Sequence, residues 1–178
     1  MRYKNIYTLI TKQDLISKDY IKHNQQIPYI KNIILSTINS NTLKNKLKII
    51  EPLFCLELIT MNKPLLIKAK KSIAAFNIRK NLYIGCYITL NRWILYNFID
   101  KFIHFTLGRN NKKINYKTKN SYNNLYNVNY YLKNLDIYSE IEFEFNKIYN
   151  KYGLYININI KSYNIKLNKL LLTHFLFI

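Results

Sequence analysis

The stretch Leu154-Tyr-Ile-Asn-Ile-Asn-Ile160 decides how this chain is read. Leu154, Ile156, Ile158 and Ile160 alternate with Tyr155, Asn157 and Asn159, the period-two pattern of a strand with one side in a core and the other open. Ile84-Gly-Cys-Tyr-Ile-Thr-Leu90 has the same character, with Ile84, Cys86, Ile88 and Leu90 on one side and Gly85, Tyr87 and Thr89 on the other. Working outward, strands are expected at Lys31–Leu35, Pro64–Ala69 and Tyr126–Lys133. Helical spacing separates them. Residues 1–22 read as a polar-flanked helix carrying Ile6, Leu9 and Ile10. Leu43, Leu47, Ile50, Phe54 and Leu58 recur as one helix face, and Pro52, which lacks a backbone donor, is expected to bend or break that helix near residues 48–52. Asn91 is placed to cap a helix that turns Leu95, Phe98, Ile99, Phe102 and Ile103 inward and ends at Gly108. Asn164–His174 reads as a last short helix. Mixed helices and strands without a βαβα rhythm predict an α+β fold, an antiparallel sheet with helices on one face. One domain over 1–178 is expected, with 1–24 as an N-terminal helical extension. Residues 110–124, dominated by Asn, Lys and Tyr, read as a low-complexity loop.

Composition narrows the function. The chain has 178 residues, 49% of them hydrophobic, enough for a core. Its 28 basic residues against 9 acidic ones give a net charge of +19, which calls for a polyanionic partner. Ile, Asn, Lys and Tyr make up 96 of the 178 residues, all four have AT-rich codons, and only 4 of the 28 basic residues are Arg. That bias points to an organellar genome. The N-terminus shows neither a secretory apolar region nor an Arg- and Ser-rich import stretch, so synthesis inside the organelle is expected. No apolar run approaches the roughly 20 residues of a membrane span; Leu170–Ile178 is interrupted by Thr173 and His174. Cys55 and Cys86 lie 31 residues apart without a Cys-x-x-Cys pair, and are read as small buried hydrophobes.

The charge is concentrated. Between Leu58 and Leu135 there are 14 Lys or Arg and one acid, Asp100. The densest group, Lys63, Lys68, Lys70, Lys71, Arg79 and Lys80, brackets the connection between two predicted strands. Each cation there is able to neutralise a phosphate, at roughly 0.7–0.9 log units of affinity per tenfold change in salt. The open side of the sheet, with Tyr87, Thr89, Tyr155, Asn157 and Asn159, adds flat rings and hydrogen-bonding groups suited to RNA bases and 2′-hydroxyls. No phosphate-loop, dinucleotide or zinc-protease motif occurs, and no cofactor or metal is expected. His23, His104 and His174 are scattered, and His104 reads as a packed, hydrogen-bonded side chain of a core helix rather than a ligand. Glu140, Glu142 and Glu144 alternate with Ile141, Phe143 and Phe145, as on one solvated side of a strand, and offer a docking point for a basic partner.

One segment is more specific than any of this. Asn62-Lys-Pro-Leu-Leu-Ile-Lys-Ala-Lys-Lys-Ser-Ile-Ala-Ala-Phe-Asn-Ile-Arg-Lys-Asn-Leu-Tyr-Ile-Gly-Cys-Tyr-Ile-Thr-Leu90 resembles the signature of the ribosomal protein L five family, G-Q-K-P-V/L-x-T-K/R-A-K/R-K-S-I/V-A-x-F-x-I/L-R-x-x-x-x-I-G-x-x-V-T-L. Lys63-Pro64, Ala69, Lys71-Ser72, Ala74, Phe76, Arg79, Ile84-Gly85 and Thr89-Leu90 stand in place without a gap. Ile27–Leu35 is similar to the family's V-P-x-V/I-x-K-I-x-L, Ser139-Glu-Ile141 to its P-E-I, and Gly153–Ile160 to its G-L/M-D/N-I-x-I/V strand. The resemblance covers about residues 25–178.

It implies an RRM-like two-layer α+β sandwich in the central protuberance of the large ribosomal subunit, a structural part of the ribosome and not an enzyme. Large-subunit rRNA and, where present, 5S rRNA would meet the open sheet face. The implied rRNA-binding residues are Ser36, Asn62 and Thr89, joined by Lys63, Lys68, Lys70, Lys71 and Tyr87 from the charge and face patterns. The family has Asn and Gln where this chain has Ser36 and Asn62. The loop Ala74–Ile84, with Phe76, Asn77, Arg79 and Lys80, would reach P-site tRNA, and a small-subunit head protein would be a further partner. A mitochondrial ribosome is expected, with a plastid one as the alternative. The rivals are an organellar intron-encoded nuclease or maturase, whose paired acidic motif is absent here, and a lipid-surface protein. The latter would need a basic amphipathic helix, yet the helix at 92–107 carries only Arg92 and Lys101.

Overall fold

Leu154–Lys161 is a strand whose buried and exposed positions alternate along its length, as the sequence demands. The computed structural model describes residues 2–19, 21, 23–38, 46–107, 116–121, 125–144, 148, 151–162 and 164–175. Within them the helices are α1 (Arg2–Ile6), α2 (Lys12–Asp19), α3 (Ile50–Thr60), α4 (Arg92–Lys101), α5 (Ser139–Phe143) and α6 (Ile165–His174). The strands are β1 (Tyr29–Ile38), β2 (Leu65–Lys68), β3 (Tyr83–Leu90), β4 (Tyr116–Ser121), β5 (Leu125–Leu132) and β6 (Leu154–Lys161). They form one six-stranded sheet in the order β2-β3-β1-β6-β5-β4. The pairs β2/β3 and β4/β5 are antiparallel. The fold is α+β, as expected.

The chain forms two compact units. The first comprises Met1–Ile33, Leu90–Tyr130 and Asn157–Ile178; the second comprises Ile34–Thr89 and Tyr131–Ile156. In the first, Leu95, Phe98, Ile99, Phe102 and Ile103 are all buried, as their spacing predicts. Phe102 packs against Tyr130 with ring centroids 5.6 Å apart. Asn91 precedes α4 but makes no side-chain cap, and Arg92 takes a left-handed φ of 55°. A π-helix, Phe102–Leu107, prolongs α4, and Gly108 lies outside the described residues. Asn164 does cap α6, accepting from the Lys166 N–H at 3.1 Å.

The N-terminal helix is real but turned. A π-helical step at Tyr7–Thr11 joins α1 to α2 and rotates the chain, so Tyr3, Thr11 and Leu15 are buried while Leu9 and Ile10 are exposed. Tyr3 and Tyr7 both stack on Phe175, at 6.0 and 6.2 Å. Tyr7 donates to the Pro28 carbonyl at 2.9 Å. Two carboxylates add ties: Asp100 takes Arg2 at 2.9 Å and His104 at 3.3 Å, and Asp14 takes Lys18 at 2.9 Å and His174 at 3.1 Å. His104 thus has the polar partner expected of it, the Asp100 carboxylate, but is exposed rather than packed.

In the second unit the helix expected around Pro52 starts later. A 3₁₀ turn, Lys46–Ile49, leads into α3, so Pro52 sits in the first helical turn, where a missing N–H costs no bond. The inward face is Pro52, Cys55, Leu56 and Ile59, while Leu47 and Ile50 are exposed. Cys55 and Cys86 are fully buried, as read from the sequence. Two further expectations give way. Tyr116–Ser121, read as part of a loop, is a strand paired with β5 from Tyr116↔Tyr130 to Ser121↔Leu125. The segment with Glu140, Glu142 and Glu144 is the short helix α5, not a strand; Ile141 is buried and Phe143 is exposed.

Candidate nucleic-acid interface

The basic connection between β2 and β3 is a folded element. Pairing holds its base: β2 and β3 register as Leu65↔Tyr87, Leu66↔Cys86 and Ile67↔Gly85, then shift so that Lys68 faces Tyr83. The Ala69 N–H donates to the Leu82 carbonyl at 2.8 Å, and the Asn81 N–H returns to Ala69 at 3.0 Å. Further out, Ile73 and Ile78 exchange two backbone bonds of 2.8 and 3.1 Å around a 3₁₀ turn at Ala74–Phe76. Asn77 and Asn81 turn the corners with φ of 54° and 69°, a region that Asn tolerates better than other residues with a Cβ. Ser72 ties the two limbs, its hydroxyl accepting from the Lys80 N–H at 2.9 Å.

This bracing leaves a hollow of about 920 Å³ lined by Ser72, Asn77, Arg79, Lys80, Asn81 and Tyr83 among others. Arg79, Lys80 and Phe76 are exposed on it or beside it, as are Lys70 and Lys71 at its base. Lys63, Lys68, Lys70, Lys71, Arg79 and Lys80 make no ion pair with any described residue. Lys68 instead lies over the Tyr83 ring, 5.3 Å from its centroid. Six exposed, unneutralised cations, five on the hairpin and Lys63 just before it, are an electrostatic footprint for phosphate.

The open side of the sheet in the second unit is set by one buried contact. Thr37 Oγ1 and Cys86 Sγ lie 3.1 Å apart on the core side of β1 and β3. Their strand neighbours Ser36 and Tyr87 therefore point the other way, and Thr89 shares their side. Gly85 lets the strands meet, since a Cβ there would run into the Thr37 carbonyl. Asn62 stands apart from this row, in the turn after α3, where its N–H approaches the Thr60 hydroxyl at 3.4 Å. The structure thus brings Ser36, Tyr87 and Thr89 onto adjacent strands and leaves Asn62 in the connection leading to Lys63.

Three features went unread in the sequence. Ser72 was matched to a motif without a role, and its brace appears only in the fold. Asn129 and Asn32 form amide pairs with the predicted face residues: Asn157 donates to Asn129 at 2.6 Å and Asn159 to Asn32 at 2.8 Å. Tyr131 stands against Tyr155 with ring centroids 4.6 Å apart. The alternation of Asn127, Asn129 and Tyr131 with Tyr126, Val128, Tyr130 and Leu132 was the signal for the last two. Among the described residues no group of three His, Cys, Asp or Glu is placed to hold a metal, and no helix is long and apolar enough to cross a membrane.

No protein-family model matches the chain. Individual relatives do. The chain is 35% identical over 159 residues to large ribosomal subunit protein uL5m of Reclinomonas americana, covering 88% of this chain and 86% of that one. The chain belongs to the uL5 family. It is also 34% identical over 144 residues to uL5 of Syntrophus aciditrophicus, covering 80% and 79% of the two chains. A third relative, uL5m of Prototheca wickerhamii, is 30% identical over 168 residues, covering 92% and 71%. Proteins of the uL5 family are structural constituents of the large ribosomal subunit rather than enzymes, and this chain is one of them. A nuclease or maturase finds no support among these relatives.

Proposed function

We propose that the chain binds large-subunit rRNA in the central protuberance of a mitochondrial ribosome and that its β2–β3 hairpin contacts P-site tRNA. The observation that carries this reading is the hairpin itself: a braced basic tip, with Arg79 and Lys80 at its hollow and Lys63, Lys68, Lys70 and Lys71 at its base. The lysines at the base answer rRNA phosphates, while the tip projects cations that no described carboxylate neutralises. Ser36, Tyr87 and Thr89 on the open side of β1 and β3, with Asn62 nearby in sequence to Lys63, supply the hydrogen-bonding groups for rRNA, 5S rRNA included where the ribosome has it. A small-subunit head protein is the expected protein partner across the subunit boundary. Two relatives named uL5m support the mitochondrial assignment, and the AT-biased composition supports a gene in the organelle.

The test separates tip from base. Arg79→Glu with Lys80→Glu is expected to lower P-site tRNA occupancy roughly tenfold or more while the chain still co-sediments with large subunits, because like charge repels the tRNA backbone but the base lysines remain. Cross-linking that places the tip far from tRNA in a translating ribosome would count against the tRNA contact. A native chain that travels free of ribosomal particles at low ionic strength would remove the rRNA reading altogether.

A further inference from the structure

Tyr131 on β5 and Tyr155 on β6 are large side chains that the fold leaves 41% and 48% exposed. Their rings stand 4.6 Å apart at an interplanar angle of 38°. The arrangement depends on Gly153: a Cβ there would lie 2.7 Å from the Tyr131 hydroxyl oxygen and 3.0 Å from its ring. The Tyr131 ring therefore lies close over the backbone just before β6 and turns toward its neighbour. Neither hydroxyl bonds a described residue, so the pair is held by ring packing and not by hydrogen bonds. Lys133 and Lys151, two residues beyond Tyr131 and two before Gly153, are both exposed.

We propose that Tyr131 and Tyr155 form a stacking platform for an unpaired nucleobase of ribosomal RNA, with Lys133 and Lys151 as the nearest cations in sequence for its flanking phosphates. The proposal rests on the rRNA-binding reading above and adds a site to it. Two adjacent exposed rings present a π-surface to a base, which every base can use regardless of sequence. The charge balance of the chain, +19, favours an RNA occupant over an acid-poor protein surface.

The experiment has two arms. Ultraviolet zero-length cross-linking of isolated large subunits, read by mass spectrometry, should give nucleotide adducts on the peptide carrying Tyr131 or on that carrying Tyr155. Adducts on the β2–β3 hairpin with none on either tyrosine peptide would overturn the platform and leave the rRNA reading standing. In the second arm the purified full chain binds a ten-nucleotide oligouridylate and an abasic ten-mer of the same phosphate count. Tyr155→Ala and Tyr131→Ala should each weaken oligouridylate binding about 5- to 150-fold. The slope of log affinity against log salt should stay unchanged, because no phosphate contact is lost, and Tyr155→Phe should restore affinity. Abasic binding should be weak and indifferent to the tyrosine variants. Equal losses on both oligomers, or none on oligouridylate, would overturn the platform; a wild-type chain that binds neither oligomer and leaves no adduct in the subunit would remove the rRNA reading together with it.

Discussion

At the scale of single residues, burial fixes the chemistry of the two thiols. Cys55 has no exposed surface, and desolvation, helped by Cys86, Glu51 and Asp136, pushes its thiol up to about 12. Desolvation raises Cys86 as well, against a hydrogen bond with Thr37 that lowers it. Burial also raises the phenols of Tyr7 and Tyr96. The folded chain thus keeps protons that the unfolded chain releases from about pH 8.5 for thiols and about pH 10 for phenols. The stability these buried groups contribute is full below about pH 8.5 and is lost as pH rises through their folded values, since the native state is then the more protonated one. Thermal melts at pH 7 and pH 10 should show the drop, and Cys55→Ala should flatten its first part. At pH 8 an aromatic disulfide reagent should find both thiols silent in the native chain and reactive after denaturation. The sequence carried this much: two isolated cysteines read as small buried hydrophobes, Cys86 on the inward side of an alternating strand.

At the scale of elements, the sequence was most legible where polarity alternates or recurs cleanly. Leu154–Lys161 and Tyr83–Leu90 follow their patterns almost residue for residue, and the inward face of α4 follows its spacing. It was least legible where local geometry shifts the register. The π-helical step at Tyr7–Thr11 turns Leu9 and Ile10 outward, and the late start of α3 moves its inner face to Pro52, Cys55, Leu56 and Ile59. Tyr116–Ser121 was hidden by composition, since a polar strand gains its order from pairing with β5 rather than from an apolar side. Glu140–Glu144 shows the reverse error, where five residues of alternation are too few to separate a strand from a single helical turn. One element carries strain that the fold can shed. Arg92 opens α4 with a φ of 55°, a region that costs a residue with a Cβ about 1–2 kcal/mol and glycine nothing comparable. Allowing for the greater freedom of glycine in the unfolded chain, Arg92→Gly should stabilise the protein by about 0.5–1 kcal/mol in urea titration, without changing the denaturant slope. A loss of stability would mean that the arginine side chain, not the backbone, governs this position.

For the whole molecule, the net charge of +19 is what the proposed rRNA contact draws on. The candidate site was legible as a cluster of lysines in an acid-poor span, but its shape was not. The amide pairs and the tyrosine pair depend on contacts between residues far apart in sequence, and the Ser72 brace on a loop geometry that residue types alone do not specify. The four base lysines, each neutralising one phosphate, predict a slope of about −3 to −4 in log affinity against log salt for rRNA. Washing large subunits through rising potassium chloride and blotting for the chain measures this, and a slope near zero would show that the hairpin is not the anchor. The backbone carries a second consequence of the same composition. Among the described residues, the positions with left-handed φ are Met61, Asn77, Asn81 and Arg92, and none is glycine, in a chain with 3 glycines overall. Guanine-rich codons spell glycine, whereas adenine and thymine spell asparagine. Two of these four corners carry the carboxamide residue, so the codon bias read from the composition reaches the torsion angles as well as the surface charge.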